Sequence, residues 1–256
     1  MANCAYRLAD LRAAIRPFRL RFFPRLRSTS DHAALLRKRG QLFAPAVVLT
    51  SRQTRGRGRG GSTWWSGPGC LTATFVLPIE EHLATHQLPL AAGLAVRNAA
   101  AELTGDDRIA LKWPNDVVWR GRKLAGVLCE RVGRADLIGI GLNVNIAVGD
   151  APGALRRRLA SLLMVAGKPL DMTAVLACVA THLRQTMLRR RHHPFAAMLR
   201  EYAQHHALTG RRISVVTNTG AITGICDGLD AMGHLLVRTV GGTRRVVSGT
   251  VRVGRG

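Results

Sequence analysis

The chain has 256 residues and 47% apolar composition, enough to bury one sizeable core, which excludes a disordered or low-complexity polymer. Its 38 basic against 15 acidic side chains give a formal charge of +23. Only four cations are lysines (Lys38, Lys112, Lys123, Lys168) and the arginines are scattered from Arg7 to Arg255, so the charge fits a solvated surface and leaves a nucleic-acid face as a rival reading.

Arg7, Arg12, Arg16 and Arg19 interrupt any apolar leader at the N-terminus. Phe18, Leu20 and Phe22 alternate with Arg19 and Arg21, the pattern of a half-buried strand. Ser30 and Asp31 then offer an N-cap for a short helix through Leu35 and Leu36, ended by Gly40. Residues 45–50 (PAVVLT) predict a buried strand, 51–69 a long Gly- and Arg-rich loop, and 71–78 a second strand. Pro89 suits the first turn of an Ala-rich helix reaching about Leu103. Residues 108–145 predict three or four strands, with Arg120 and Gly121 as a hairpin turn. Helices are expected over about 171–191 and 194–208, where Val175, Leu176, Val179 and Leu183 recur near the 3.6 period. From Arg211 onward, short strands punctuated by glycine predict a small β-barrel. No run qualifies as a membrane span, since the longest uncharged one, 60–79, is broken by Gly, Ser, Thr and Pro.

Cys4, Cys70, Cys129, Cys178 and Cys226 are odd in number, far apart and in no CxxC pair, so neither a disulfide framework nor a zinc knuckle is indicated, and the cytoplasm is the expected compartment. Phosphate-loop, GxGxxG and GxSxG motifs are absent. His82 and His86 have helix-ligand spacing without the glutamate of HExxH, while His192–His193 and His205–His206 sit near arginines; surface or capping roles suit them better than metal ligation.

Two polar stretches remain. In SRQTRGRGRGGSTWWSGPG (51–69), glycines let a backbone approach a ligand closely, and Arg57 and Arg59 supply forked donors for carboxylate or phosphate; an RGG-like nucleic-acid segment has the same composition. In LKWPNDVVWRGRKLAGVLCE (111–130), Lys112, Asn115, Asp116 and Lys123 stand among apolar strand residues. Lys112 and Asp116 also suit a simple ion pair at a strand end, and Asn143 and Asn145 in GIGLNVN (139–145) either line a site or bridge a turn.

In this order, RSTSD (27–31), RQTRGRGRGGSTWWS (52–66), KWPND (112–116), RKLAGVLCE (122–130) and GIGLNVN (139–145) resemble the catalytic domain of biotin protein ligases, and the C-terminal β pattern resembles that family's SH3-like domain. The resemblance implies an α/β (α+β) fold: a mixed-sheet, lipoate-ligase-related catalytic domain over 1–209 and a small SH3-like β-barrel over 210–256. It implies an ATP- and Mg²⁺-dependent enzyme that makes biotinyl-5′-AMP and transfers biotin to one lysine of a biotin carboxyl carrier protein of acetyl-CoA carboxylase or a related carboxylase. With about 17 residues before the first strand, the chain resembles the ligase-only form, with no sequence-specific DNA partner, as monomer or homodimer.

Carried over by position, Ser28, Thr29, Ser30 and Gln53 resemble polar contacts to biotin, and Gly56, Arg57, Gly58 and Arg59 the loop closing over biotin and its adenylate. Arg57 and Lys123 take the catalytic roles on carboxylate and α-phosphate, Gly126 permits close packing under the biotin ring, and Arg57, Arg59, Trp64, Lys123 and Asn143 fall on the adenylate side. Asn115 and Asp116 are candidates to position Mg²⁺ or Lys123. The family's usual Asp-Ser-Thr-Asn is Arg27–Ser28–Thr29–Ser30 here, and its QTAGRGR is QTRGRGR, with Arg55 in place of a small residue. A lipoate or octanoate ligase on the same fold is the nearest alternative.

Overall fold

The computed structural model describes residues 6–79, 84–192 and 194–254. In chain order these form α1 (Leu8–Ala14), β1 (Arg19–Leu26), α2 (Thr29–Lys38), β2 (Ala46–Gln53), β3 (Gly56–Arg57), β4 (Thr63–Trp64), β5 (Cys70–Pro78) and α3 (Leu88–Thr104). There follow β6 (Ile109–Lys112), β7 (Asp116–Trp119), β8 (Arg122–Val132), β9 (Ala135–Asn143), α4 (Gly153–Arg156), α5 (Leu162–Ala166), α6 (Met172–His192) and α7 (Phe195–Gln204). The C-terminal strands are β10 (Arg212–Thr217), β11 (Gly220–Leu229), β12 (Leu235–Thr239), β13 (Gly242–Val246) and β14 (Thr250–Val253).

Seven strands form a mixed sheet in the order β1-β2-β5-β9-β8-β7-β6. The β1–β2 pair is parallel, which requires a crossover, and α2 supplies it; the remaining pairs are antiparallel. The cap of α2 is Ser28, two residues before the expected Ser30 and within reach of Asp31, whose N–H its hydroxyl accepts at 3.3 Å. Ser30 is free for another task because it already lies inside the helix. The Arg120–Gly121 turn between β7 and β8 has φ of 48° and 75°, as a tight primed hairpin demands.

Alternation along the strands sorts the two faces. Leu71, Ala73 and Phe75 of β5 and Ile138, Ile140 and Leu142 of β9 join a core with Leu94, Ala95, Val179 and Leu183 from α3 and α6. On the opposite face Ala33 and Leu42 cover only one end, with Ala46, Val48 and Leu137. The middle of that face is open, and the site lies there.

The C-terminal strands differ from a closed barrel. They make a five-stranded antiparallel sheet, β13-β12-β11-β10-β14, in which the outer strands β13 and β14 do not pair. Gly242, Thr243, Arg244 and Arg245 of β13 are exposed, and two charged side chains on an edge strand oppose further pairing. Trp113 donates its indole N–H to Gly233 O at 3.1 Å, joining this sheet to the larger one. No helix among the described residues is long and apolar enough to cross a membrane.

One buried carboxylate ties the α3–β6 connection to the sheet. Asp106 accepts from Arg108 N (2.8 Å), Nε (2.9 Å) and Nη2 (2.7 Å) and from Trp119 Nε1 (3.0 Å). The Arg108 guanidinium, assisted by these N–H groups, holds its carboxyl well below the usual carboxylate range. A depressed carboxylate stabilises the fold while ionised, fully above the unfolded value and progressively less as pH falls toward the folded one. Asp106→Asn should therefore cost about 1–2 kcal/mol at neutral pH, and the gap between urea midpoints of the two proteins should narrow as pH is lowered below about 4.

Candidate active site

A cleft of about 430 Å³ opens on the uncovered face of the large sheet. Its floor has no side chains: Gly139 and Gly141 of β9 point to it while their neighbours Ile138 and Ile140 face the core, and Gly126 of β8 pairs with Gly141. The β3–β4 hairpin folds back so that the Trp64 indole rests on Gly141, where a Cβ would collide with it. At Gly126 a Cβ would come within 3.0 Å of Lys123 Cε and 3.3 Å of Trp64 Cζ3; at Gly139 it would meet Ser30 Oγ at 2.6 Å. Gly60 and Gly61, at φ of 58° and 75°, make the tight return of this hairpin.

At the Gly139 end the walls are hydroxyls and an amide. Gln53 Oε1 accepts from Thr29 N at 2.7 Å and Thr29 Oγ1 at 3.1 Å, Thr74 donates to Thr29 Oγ1 at 2.9 Å, and Ser30 Oγ lies 3.2 Å from Thr74 Oγ1. Thr29, Ser30 and Thr74 are buried and, with the half-buried Gln53, all paired, so the polar end is rigid before any ligand arrives.

The Gly126 end is cationic. Lys123 Nζ sits 2.7 Å from Asp116 Oδ1 and 5.6 Å from the Trp64 ring centroid. Asp116 thus pairs with Lys123, one of the two roles the resemblance implies for it, and not with Lys112 as in the alternative strand-end ion pair. Lys112 also lines the cleft, and burial, reinforced by Lys123 and Arg158, lowers its pKa. Arg59 donates to Asn115 Oδ1 at 3.2 Å, and Asn115 Nδ2 donates to Val127 O at 2.8 Å. Burial lowers the Arg59 pKa too, with Asp116 as the opposing influence. Among the lining residues Asp116 is the one carboxylate against Arg57, Arg59, Lys112 and Lys123, so the cleft is built to receive anions.

The structure gathers Ser28, Thr29, Ser30, Gln53, Arg57, Gly58, Arg59, Trp64, Asn115, Asp116, Lys123 and Gly126 around one cleft. One of these positions, Arg57, and two others, Gly56 and Asn143, depart from the sequence expectation. Arg57 is held by a bidentate pair to Glu130 (3.0 and 2.6 Å) and by Asp31 at 2.7 Å, and these contacts raise its pKa; it clamps the hairpin, while Arg59 is the arginine directed at Asn115 and the floor. Gly56 lies outside the lining, buried where a Cβ would meet Trp64 O at 2.6 Å. Asn143 is also outside it, its amide donating to Lys123 O at 3.2 Å and Ala160 O at 3.0 Å. Both Asn115 side-chain atoms are engaged and Asp116 Oδ1 faces Lys123, so a role of the pair toward Mg²⁺ falls to Asp116.

Lys112 and a strip from the C-terminal sheet, including Asn218, Ser248 and Thr250, line the same cleft and carried no assigned role in the sequence reading. Lys112 had a signal, one lysine among arginines; the strip had none. His82 and His193 lie outside the described residues. His86 reaches Met232 O at 3.1 Å and stacks on His234, and His206 bonds Thr209 Oγ1 at 2.9 Å.

Residues 22–146 match the biotin/lipoate A/B protein ligase family, and 208–254 match the biotin protein ligase C-terminal domain. The chain is 30% identical to a biotin–[acetyl-CoA-carboxylase] ligase of Paracoccus denitrificans, over 89% of this chain and 98% of that protein. It is 31% identical to the bifunctional ligase/repressor BirA of Bacillus subtilis over 81% of this chain, spanning 66% of that protein's length. A biotin protein ligase from Aquifex aeolicus, solved in complex with biotin and ATP, superposes with a TM-score of 0.84 at 29% identity over 93% of this chain and 99% of that one. Sequence, fold and the cationic cleft on a glycine floor agree: this chain belongs to the biotin protein ligase family.

Proposed function

We propose that the cleft binds biotin and MgATP, joins them as biotinyl-5′-AMP and passes the biotinyl group to one lysine of a carboxylase's biotin carboxyl carrier protein, in the cytoplasm. The observation that carries this reading is the polarity of the glycine floor. Hydroxyls and Gln53 stand at the Gly139 end, Lys123 stands at the Gly126 end, and a flat hydrogen-bonding ring with a carboxylate arm matches both. Residues 1–209 would carry this chemistry and 210–256 form the second unit, contributing the strip that includes Asn218 and Thr250.

The first step brings together two anions. A biotin carboxylate oxygen attacks the α-phosphorus of ATP, the bond to the bridging oxygen of the β-phosphate breaks, and pyrophosphate leaves. In the second step the carrier amine attacks the acyl carbon, AMP departs with the electron pair, and an amide remains. Neither step needs an enzyme nucleophile; both need positioning and charge stabilisation. Lys123 would exchange Asp116 for the carboxylate and α-phosphate, an attraction that grows as negative charge concentrates between them. Arg59 would take the acyl-phosphate contact, with Arg57 holding the hairpin that delivers it. Lys112 faces the same charge. Magnesium would enter as the counter-ion of ATP, and Asp116, released as Lys123 turns to the substrate, is the carboxylate of this cleft that would face it.

Three outcomes test this reading. Purified protein with ATP, Mg²⁺ and a carrier domain should label one lysine with biotin, and lipoate or octanoate in parallel tubes should leave it unlabelled; labelling by lipoate alone would assign the other substrate class. Lys123→Met should lower adenylate formation by roughly 10²-fold or more with an unchanged melting temperature, whereas Lys168→Met, at an exposed position in the α5–α6 connection, should leave it intact. Equal rates in these two proteins would remove Lys123 from the mechanism. Gly141→Ala places a methyl in the space of the Trp64 indole, so biotin binding by calorimetry should weaken by about 10-fold or more.

A further inference from the structure

On the helical side of the sheet, away from the cleft, α3 and α6 bring three different metal-capable side chains to one place. Cys178 and His182 are four residues apart on α6 and so share a face, opposite Glu102 in the last turns of α3. Cys178 Sγ lies 3.5 Å from Glu102 Oε1, His182 Nε2 lies 2.8 Å from Glu102 Oε2, and the three donor atoms all fall within 4.8 Å of one another. Among the described residues this is the one cluster of three such groups.

We propose that Glu102, Cys178 and His182 form a binding site for a zinc-type divalent transition metal, with thiolate, imidazole and carboxylate as ligands and the fourth position open to solvent. A tetrahedral zinc with bonds of about 2.0–2.3 Å separates its ligand atoms by about 3.3–3.8 Å. Sγ meets Oε1 at 3.5 Å and Nε2 meets Oε2 at 2.8 Å, so a chelating carboxylate already has one oxygen at ligand spacing from the sulfur, and its other oxygen must move about half an ångström from the imidazole. Glu102 can make that adjustment because its side chain is 67% exposed. The imidazole orientation fits as well: His182 Nδ1 is buried without a partner, which leaves Nε2 as the nitrogen offered to an ion. One soft sulfur among borderline and hard donors selects zinc or cobalt over magnesium or calcium.

The proton balance is simple. Burial, with the Glu102 charge second, pushes the Cys178 thiol up to about 12, so the free protein holds the thiol protonated. Because the ligand is the thiolate, each ion bound releases the thiol proton to solvent. The bound ion would pin the end of α3 to the first half of α6. With three protein ligands and no acceptor for Nδ1–H, the site is weaker than a closed four-ligand centre.

The test uses the tag-free full chain, stripped with EDTA and titrated with cobalt chloride. A thiolate-to-cobalt charge-transfer band should appear, saturate at one equivalent and vanish on adding zinc. Cys178→Ser should abolish the band while keeping the far-ultraviolet spectrum, His182→Gln should weaken cobalt binding by roughly 10-fold or more, and Cys129→Ser should leave both unchanged. Biotin-dependent adenylate formation should be the same in Cys178→Ser and the parent protein, because the cluster touches no cleft residue. A parent protein without the band, or a band that survives Cys178→Ser, would overturn the proposal.

Discussion

Lys123 is held at its backbone before its side chain does anything. Its N–H donates to Arg158 O at 2.7 Å, its carbonyl accepts Ala160 N at 2.8 Å, and the Asn143 amide reaches the same carbonyl at 3.2 Å. These bonds join β8 to the chain after α4 and fix where the ammonium emerges over Gly126. The register shift between Val117 and Val118 turns β8 locally so that Lys123 pairs with Val118 while its Nζ still meets Asp116. A flexible four-carbon stem becomes a placed charge, and the glycine floor, the hairpin and the hydroxyl wall are arranged around it.

Acidic groups are scarce in this chain, so their positions carry information. Among the described residues, three acidic side chains hold the cations of the cleft: Asp116 on Lys123, and Asp31 with Glu130 on Arg57. The two arginines of the RGR stretch are thereby given different tasks. Arg57 lines the cleft with its charge paired to Asp31 and Glu130 and anchors the hairpin to α2 and β8; Arg59 meets only an amide oxygen and keeps its charge for a ligand. The sequence spacing shows two equivalent guanidiniums, and only the folded arrangement of their partners separates them.

The strands and long helices were legible because burial imposes a period: 71–78, 108–145 and 171–191 each show their pattern without help from neighbours. α1, α4 and α5 have at most seven residues, too short to display a 3.6-residue stripe, and were missed. The motif positions were legible as a set through their ordered resemblance to the biotin protein ligase motifs, since lysine and amide residues interrupting apolar strands carry structural readings as well. Asn143 was ambiguous for a physical reason: a buried amide that holds a backbone carbonyl and one that meets a ligand leave the same trace in a sequence. The contribution of Asn218, Ser248 and Thr250 depends on how the second sheet packs against the first, through contacts such as Trp113 to Gly233, and local patterning contains no record of that. The open C-terminal sheet has the same origin, because strand periodicity cannot say whether the two outer strands meet.

Activation of a carboxylate at the α-phosphorus of ATP, without a covalent enzyme intermediate, is the step on which the proposed function rests. Exchange of labelled pyrophosphate into ATP, followed in the absence of any carrier, measures that reversible step alone. The expected exchange requires biotin and Mg²⁺ together and saturates with biotin. Exchange proceeding equally well without biotin, or none in a folded preparation supplied with all three components, would contradict it.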